Sequence, residues 1–119
     1  MLTNENQADQ NGFATLGITG ALLKAANAAG FTDPKPIQVQ AIPPQIEGRD
    51  IFGIAQTGSG KTAAFALPIL SKIIGLGTKR RPKTARALIL APTRELAVQI
   101  EDTIKLLAKG AHISTALVL

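Results

Sequence analysis

One stretch, residues 55–62, constrains the fold of this chain more than any other. Its sequence is Ala-Gln-Thr-Gly-Ser-Gly-Lys-Thr, between a short apolar run at residues 51–54 and a helix-like run at residues 63–67. A strand, a glycine-rich turn ending in Gly-Lys-Thr and a helix follow one another in this order in phosphate-binding loops. The backbone N–H groups of such a turn converge on an anion, and the following helix directs its positive end toward it.

The residue types in this loop suit a nucleotide that carries Mg²⁺. Lys61 can reach the β- and γ-phosphates and the Thr62 hydroxyl can hold Mg²⁺, so both are candidate catalytic residues. Ala55 departs from the general pattern, which has glycine there, and a plain glycine-serine turn is the alternative interpretation. The residues predicted to bind the phosphates are Gln56, Thr57, Gly58, Ser59, Gly60, Lys61 and Thr62.

Composition excludes several other kinds of site. The chain has 119 residues, which bounds it to one modest domain, and its lack of Cys excludes disulfides and thiolate metal sites. His112 is the one histidine, so a histidine-based metal cluster or a Ser-His-Asp triad is not expected. The net charge of +5 favours polyanionic partners without identifying one. The polar start has no signal-peptide core, and the absence of Cys is consistent with a cytoplasmic location.

Alternating patterns predict a small α/β arrangement with parallel strands. Residues 1–12 are expected to form a disordered tail, and the folded part is expected to begin at Phe13. Strands are predicted at 51–54, 85–91 and 113–119. Helices are predicted from the N-cap Thr19 to 29, at 37–42, at 61–74 with a kink at Pro68, and at 94–109. Pro43-Pro44 is expected to interrupt the second helix, and a separate short helix through Ile46 is the alternative there.

Three segments together carry a family resemblance. They are Gly-Phe-Thr-Asp-Pro-Lys-Pro-Ile-Gln at residues 30–38, the loop at 55–62, and Pro-Thr-Arg-Glu-Leu-Ala at 92–97. In this order and spacing they resemble the Q motif, motif I and motif Ia of the amino-terminal part of a DEAD-box RNA helicase. Alanine is usual at the first loop position in that family, so Ala55 supports the resemblance. It covers residues 13–119 and implies an α/β fold: a partial RecA-like (P-loop) domain with a short parallel sheet flanked by helices.

The resemblance assigns an adenine pocket to residues before the loop. Gln38 matches the adenine-recognising glutamine, and a carboxamide has the donor and acceptor that the N6/N7 edge of adenine requires. Phe31 matches the aromatic residue that stacks on the base, and Phe13 matches an upstream aromatic residue of the same pocket. The alternatives are core packing for the two phenylalanines and a solvated helix position for Gln38. Lys35 stands where the family usually has Thr or Ser, so a hydroxyl cap at this helix start is not available.

The resemblance also assigns an RNA-backbone contact to Pro92, Thr93, Arg94 and Glu95. The segment follows a predicted strand and starts a helix, where Thr93 can cap and free N–H groups can bind phosphate. Glu95 is expected to act in capping or ion pairing, and an ordinary capped helix is the alternative for the whole segment. The basic run at residues 79–83 is expected to be a solvated loop.

The activity implied by the resemblance is that of an ATP-dependent RNA helicase. Its cofactors would be ATP and Mg²⁺, with Thr62 as the metal-binding side chain, and its partners would be RNA and a carboxy-terminal helicase domain. The sequence contains no Asp-Glu-Ala-Asp segment, so we expect a fragment that binds adenine nucleotide without hydrolysing ATP or unwinding RNA. An unpaired last strand favours self-association. The alternative is a non-enzymatic basic piece that interacts with RNA or protein and has a vestigial phosphate loop.

Overall fold

The computed structural model describes residues 11–54, 60–77 and 82–119. A short 3-10 turn at Ala14–Leu16 precedes α1 (Gly20–Ala28) and α2 (Pro36–Ile46). Helix α3 (Lys61–Gly75) follows the loop, and α4 (Arg94–Leu107) follows its N-cap Thr93. In this part of the chain, no helix is long and apolar enough to cross a membrane.

Among the described residues, the fully buried core is aliphatic apart from Phe13, and the half-buried Phe31 and Phe65 pack against it. Helix α3 is central because it packs on α1, α2 and α4, and its contact with α2 is the most extensive. The completely buried Leu67 lies on the core side of α3, and Ile42 lies on the core side of α2. Burial of apolar surface at about 25 cal/mol per Å² favours this arrangement.

The first helix agrees with the sequence prediction, but the start of the folded part does not. Leu22, Leu23 and Ala26 are buried on α1, as its periodicity predicts. The predicted tail extended to Gly12, whereas Asn11 is only 3% exposed and the Gly12 N–H donates to the Thr32 carbonyl at 2.9 Å. Asn11 and Gly12 therefore belong to the folded unit.

Helix α2 was predicted to break at Pro43, and this prediction is wrong. The helix continues through Pro43 and Pro44 to Ile46. These prolines deprive the carbonyls of Val39 and Gln40 of their usual helix donors. Both of those residues are exposed, so water can take the place of the missing donors, which explains how the helix persists.

The short parallel sheet is not confirmed. Over the residues that the structure describes, none is assigned to a strand, because residues 51–54, 85–91 and 113–119 lack the ladder hydrogen bonds that define one. Short stretches at residues 88–91 and 111–116 nevertheless alternate in exposure. Ile89 and Ile113 pack against the core, whereas Leu88 and Leu90 are 81% and 84% exposed. These short stretches thus keep the two-residue period of a strand beside the core.

Candidate functional site

The side chain of Gln38 connects α2 to the end of the predicted phosphate-binding loop. Its Nε2 donates to the Gly60 carbonyl at 3.2 Å, and the residue is only 2% exposed. Gly60 is the N-cap of α3 and has the positive φ of 87°. A Cβ at Gly60 would lie 2.4 Å from Gln38 Nε2. The close approach of these two residues therefore requires glycine at position 60.

The same glutamine also determines where α2 begins. Its Oε1 accepts from the Lys35 N–H at 2.8 Å, while the Gln38 N–H donates to the Lys35 carbonyl at 2.9 Å. The bond to Oε1 is the half of a capping box that a glutamine at the third helical position supplies, and the bond to the Lys35 carbonyl is a backbone turn bond. The helix therefore starts at Pro36 although Lys35 has no hydroxyl to offer.

Two predicted phosphate ligands stand at the start of α3. Lys61 is the first residue of the helix and is exposed, and Thr62 is half-buried beside it. The Ala64 N–H already donates to the Gly60 carbonyl at 3.2 Å, so the preceding N–H groups of the first turn have no helical carbonyl to bind. A free helix start with an adjacent ammonium and hydroxyl fits the phosphates of a nucleotide. Gln56, Thr57, Gly58 and Ser59 lie outside the described residues.

Phe31 and Phe13 form an aromatic pair beside α1. Their ring centroids are 6.1 Å apart and the planes meet at 86°, an edge-to-face contact. Phe13 is completely buried and belongs to the core, whereas Phe31 is half-buried. Phe31 thus retains accessible surface, and the buried Phe13 packs against its ring.

Asn11 holds this pair in place, and the sequence analysis missed it. Its Oδ1 accepts from the Phe13 N–H at 2.8 Å. Its Nδ2 donates to the Phe31 carbonyl at 2.8 Å and to Asn27 Oδ1 at 3.1 Å. One buried amide therefore fixes the backbone of both phenylalanines. A polar residue two positions before a buried aromatic residue was the available signal, but the surrounding Asn- and Gln-rich sequence obscured it.

The segment before α4 is exposed and capped. Thr93 has extended backbone angles and its Oγ1 accepts from the Leu96 N–H at 3.1 Å. Pro92, Arg94 and Glu95 are all exposed. Thr93 therefore caps α4 as predicted, and its hydroxyl oxygen accepts the capping bond. The first N–H groups of α4 still lie next to the exposed Arg94, an arrangement that suits an anion.

A family model described as DEAD/DEAH box helicase matches residues 35–119, which include Gln38, Gly60 and the capped segment before α4. The chain belongs to the DEAD/DEAH box helicase family.

Curated members of this family resemble nearly the whole chain. An ATP-dependent rRNA helicase RRP3 of Pyricularia oryzae is 49% identical over 113 residues, covering 95% of this chain and 20% of the relative. A probable ATP-dependent RNA helicase DDX47 of Homo sapiens is 44% identical, covering 89% of this chain and 22% of that protein. A DEAD-box ATP-dependent RNA helicase RhpA of Helicobacter pylori is 47% identical, covering 89% of this chain and 20% of that protein. The chain spans about a fifth of the length of these relatives.

A solved structure supports the helicase-family fold. The RNA helicase Prp28 from Chaetomium thermophilum, bound to ADP, matches with a TM-score of 0.73 and 41% sequence identity. The match covers 85% of this chain and 25% of that one. The helices of this DEAD/DEAH box chain therefore pack as they do in part of a known helicase, although its described residues include no strand.

Proposed function

We propose that this chain carries the adenine-nucleotide site and part of the RNA site of an ATP-dependent RNA helicase. The observation that carries the proposal is the hydrogen bond between Gln38 Nε2 and the Gly60 carbonyl at 3.2 Å. It brings the residue predicted to recognise adenine to the start of the helix predicted to bind phosphates. The printed names of the relatives, which include ATP-dependent rRNA and RNA helicases, support the same activity.

The hydrogen-bonding capacity of Gln38 supports adenine as its ligand. A carboxamide has two N–H groups and two acceptor positions on its oxygen. Gly60 takes one N–H and the Lys35 N–H takes one acceptor position. One donor and one acceptor remain, which is the combination that binds N7 and N6 of adenine. Phe31 would stack on the base, and Phe13 would contribute through its contact with Phe31.

The start of α3 would bind the phosphates. Lys61 would donate to the β- and γ-phosphates, and Thr62 would hold Mg²⁺. Gln56, Thr57, Gly58, Ser59 and Gly60 would complete the loop. Bound Mg²⁺ neutralises phosphate charge, and Lys61 would add to this effect from the protein side. Pro92, Thr93, Arg94 and Glu95 would contact the RNA backbone, where such contacts position the strand without recognising its sequence.

By itself the chain is proposed to bind adenine nucleotide without turnover. Hydrolysis also requires a carboxylate for Mg²⁺ and a group that orients water, and the 119 residues contain no Asp-Glu-Ala-Asp segment. Unwinding would require a further helicase domain as a partner. A cytoplasmic location remains a prediction of the composition.

Calorimetric titration with ADP and Mg²⁺ tests the nucleotide site. We expect the unchanged chain to bind, and Lys61→Ala to weaken binding about 10- to 100-fold, because a hydrogen bond to a charged group contributes about 1.5–3 kcal/mol. Lys72→Ala is the matched control, since Lys72 is exposed on the last turn of the same helix. If the unchanged chain does not bind ADP, the proposal fails and the vestigial-loop alternative stands.

A further inference from the structure

Helix α3 contains a proline that leaves one of its carbonyls without a donor. Pro68 is buried within α3. Its ring nitrogen has no hydrogen, so it cannot bond the carbonyl four residues earlier. That carbonyl belongs to Ala64, which is itself buried. A buried carbonyl without a partner destabilises the folded chain, so a substitute donor is expected there.

Gln45 of α2 supplies the missing donor. Its Nε2 lies 2.8 Å from the Ala64 carbonyl oxygen and 2.8 Å from the Ala41 carbonyl oxygen. An amide nitrogen has two hydrogens, and these two carbonyls account for both. Because both neighbours are acceptors, the geometry also fixes which end of the amide is the nitrogen.

The substituted bond lies one turn from the proposed phosphate site. The Ala64 N–H donates to the Gly60 carbonyl, which also accepts from Gln38 Nε2. Gln38 and Gln45 are seven positions apart and so lie on the same side of α2. Two amides of α2 therefore bond consecutive turns at the start of α3.

We propose that Gln45 is a positioning residue for nucleotide binding. By replacing the donor that Pro68 cannot provide, Gln45 holds the first turn of α3 in helical geometry and thereby places Lys61 and Thr62. This inference rests on the proposed function of that turn. Without Gln45 the first turn of α3 would relax. Nucleotide binding would then have to reorder it, and the free energy of this reordering would weaken the affinity for nucleotide.

A double-mutant cycle between positions 45 and 68 tests the inference. Gln45→Met keeps a side chain of similar length but removes the donor. Pro68→Ala returns an N–H to the helix, which can then bond the Ala64 carbonyl directly. In the full 119-residue chain, we expect Gln45→Met to raise the Kd for ADP–Mg²⁺ about tenfold. In the Pro68→Ala background, Gln45→Met is expected to raise this Kd less than about twofold.

The control is Gln40→Met, an equivalent change at an exposed glutamine of the same helix. It is expected to leave the Kd within about twofold. An equal rise in both backgrounds would show that Gln45 acts only by packing, and no rise in either would show that it has no role in binding. Either result overturns the inference.

Folding of the variants is followed by far-UV circular dichroism. Should Gln45→Met fail to fold alone, the inference predicts that adding Pro68→Ala restores the helical signal, and failure of the double variant to fold overturns it. Absence of ADP binding by the unchanged chain overturns the proposed function and the positioning role with it. Intact binding without coupling between positions 45 and 68 overturns the positioning role alone.

Discussion

Three amide side chains, Asn11, Gln38 and Gln45, make hydrogen bonds to backbone groups inside this small protein. Asn11 and Gln38 are nearly inaccessible, at 3% and 2% exposure, and both have hydrogen-bond partners. Among the described residues, no buried side-chain nitrogen or oxygen lacks a partner. Since an unpaired buried polar group costs about 1–3 kcal/mol, these amides specify single positions for the backbone groups that they bind.

Asn11→Ala is expected to destabilise the chain by about 2–3 kcal/mol. The substitution would leave the Phe13 N–H and the Phe31 carbonyl without the amide that now binds them. Thermal melting followed by far-UV circular dichroism measures the change. Asn27→Ala is the matched control, because Asn27 is exposed and its side chain shares one hydrogen bond with Asn11. Equal decreases in melting temperature for the two variants would contradict the role assigned to Asn11.

At the scale of the element, α3 is held differently at its two ends. Its start is defined by Gly60 and by the amides of α2. Beyond its end, the Arg86 guanidinium donates to the carbonyls of Ile73 and Gly77. Arginine near a helix C-terminus interacts favourably with the negative end of the helix dipole. The segment predicted as the second strand is thereby attached to α3 without a sheet.

Gly60→Ala and Gly75→Ala are expected to have opposite effects. At Gly60 the substitution places a Cβ at φ 87° and 2.4 Å from Gln38 Nε2, so we expect ADP–Mg²⁺ binding to be lost and stability to fall by about 1–2 kcal/mol. At Gly75 a Cβ would meet nothing within 4 Å, so we expect stability to be unchanged or to rise by up to about 1 kcal/mol.

Circular dichroism melts and ADP titrations of both variants measure these effects. Normal nucleotide affinity in Gly60→Ala would contradict the close approach of Gln38 to the loop.

The helices could be predicted from sequence because their signals are local. The cap at Thr93 and the apolar spacing of Ile100 and Ile104 determine α4 within the segment itself. The continuation of α2 through Pro43 could not be predicted in this way, because it depends on which side of the helix is exposed. The strand predictions stay unconfirmed for a related reason, since a ladder requires a neighbouring chain segment and not only an alternating pattern.

The sequence indicates the residues of the candidate site unevenly for the same physical reason. Gln38, Lys61 and Thr93 occur in short motifs whose spacing implies their chemistry. Asn11 and Gln45 act through contacts with residues 16 to 20 positions away, and no local sequence pattern predicts these contacts. The contact from Gln45 to Ala64 becomes interpretable only once Pro68 is known to lie in the same helix.

At the scale of the whole molecule, the segments predicted as strands expose a large apolar surface. We name this surface the open face and define it by Phe52, Ile54, Leu88, Leu90 and Val118, which are 81–91% exposed. Large exposed apolar surfaces favour association. We therefore propose that the isolated chain self-associates through the open face.

Leu90→Glu combined with Val118→Glu is expected to reduce self-association, because two charges on the open face oppose its burial. Light scattering over a concentration series measures the change in apparent mass. Leu106→Glu is the matched control, since Leu106 is a partly exposed leucine on α4. An unchanged chain that stays monomeric throughout, or a control that lowers the mass equally, would contradict association through this face.

The alternation at residues 88–91 and 111–116 also has an evolutionary consequence. Ile89 and Ile113 contact the core, whereas Leu88 and Leu90 do not. Saturation mutagenesis scored for foldedness should therefore give a tolerance profile that rises and falls at every second residue. Substitutions to polar residues should be accepted at Leu88 and Leu90 and rejected at Ile89. In any lineage in which Leu88 and Leu90 stay uncovered, these two positions alone could be replaced by hydrophilic residues without loss of folding.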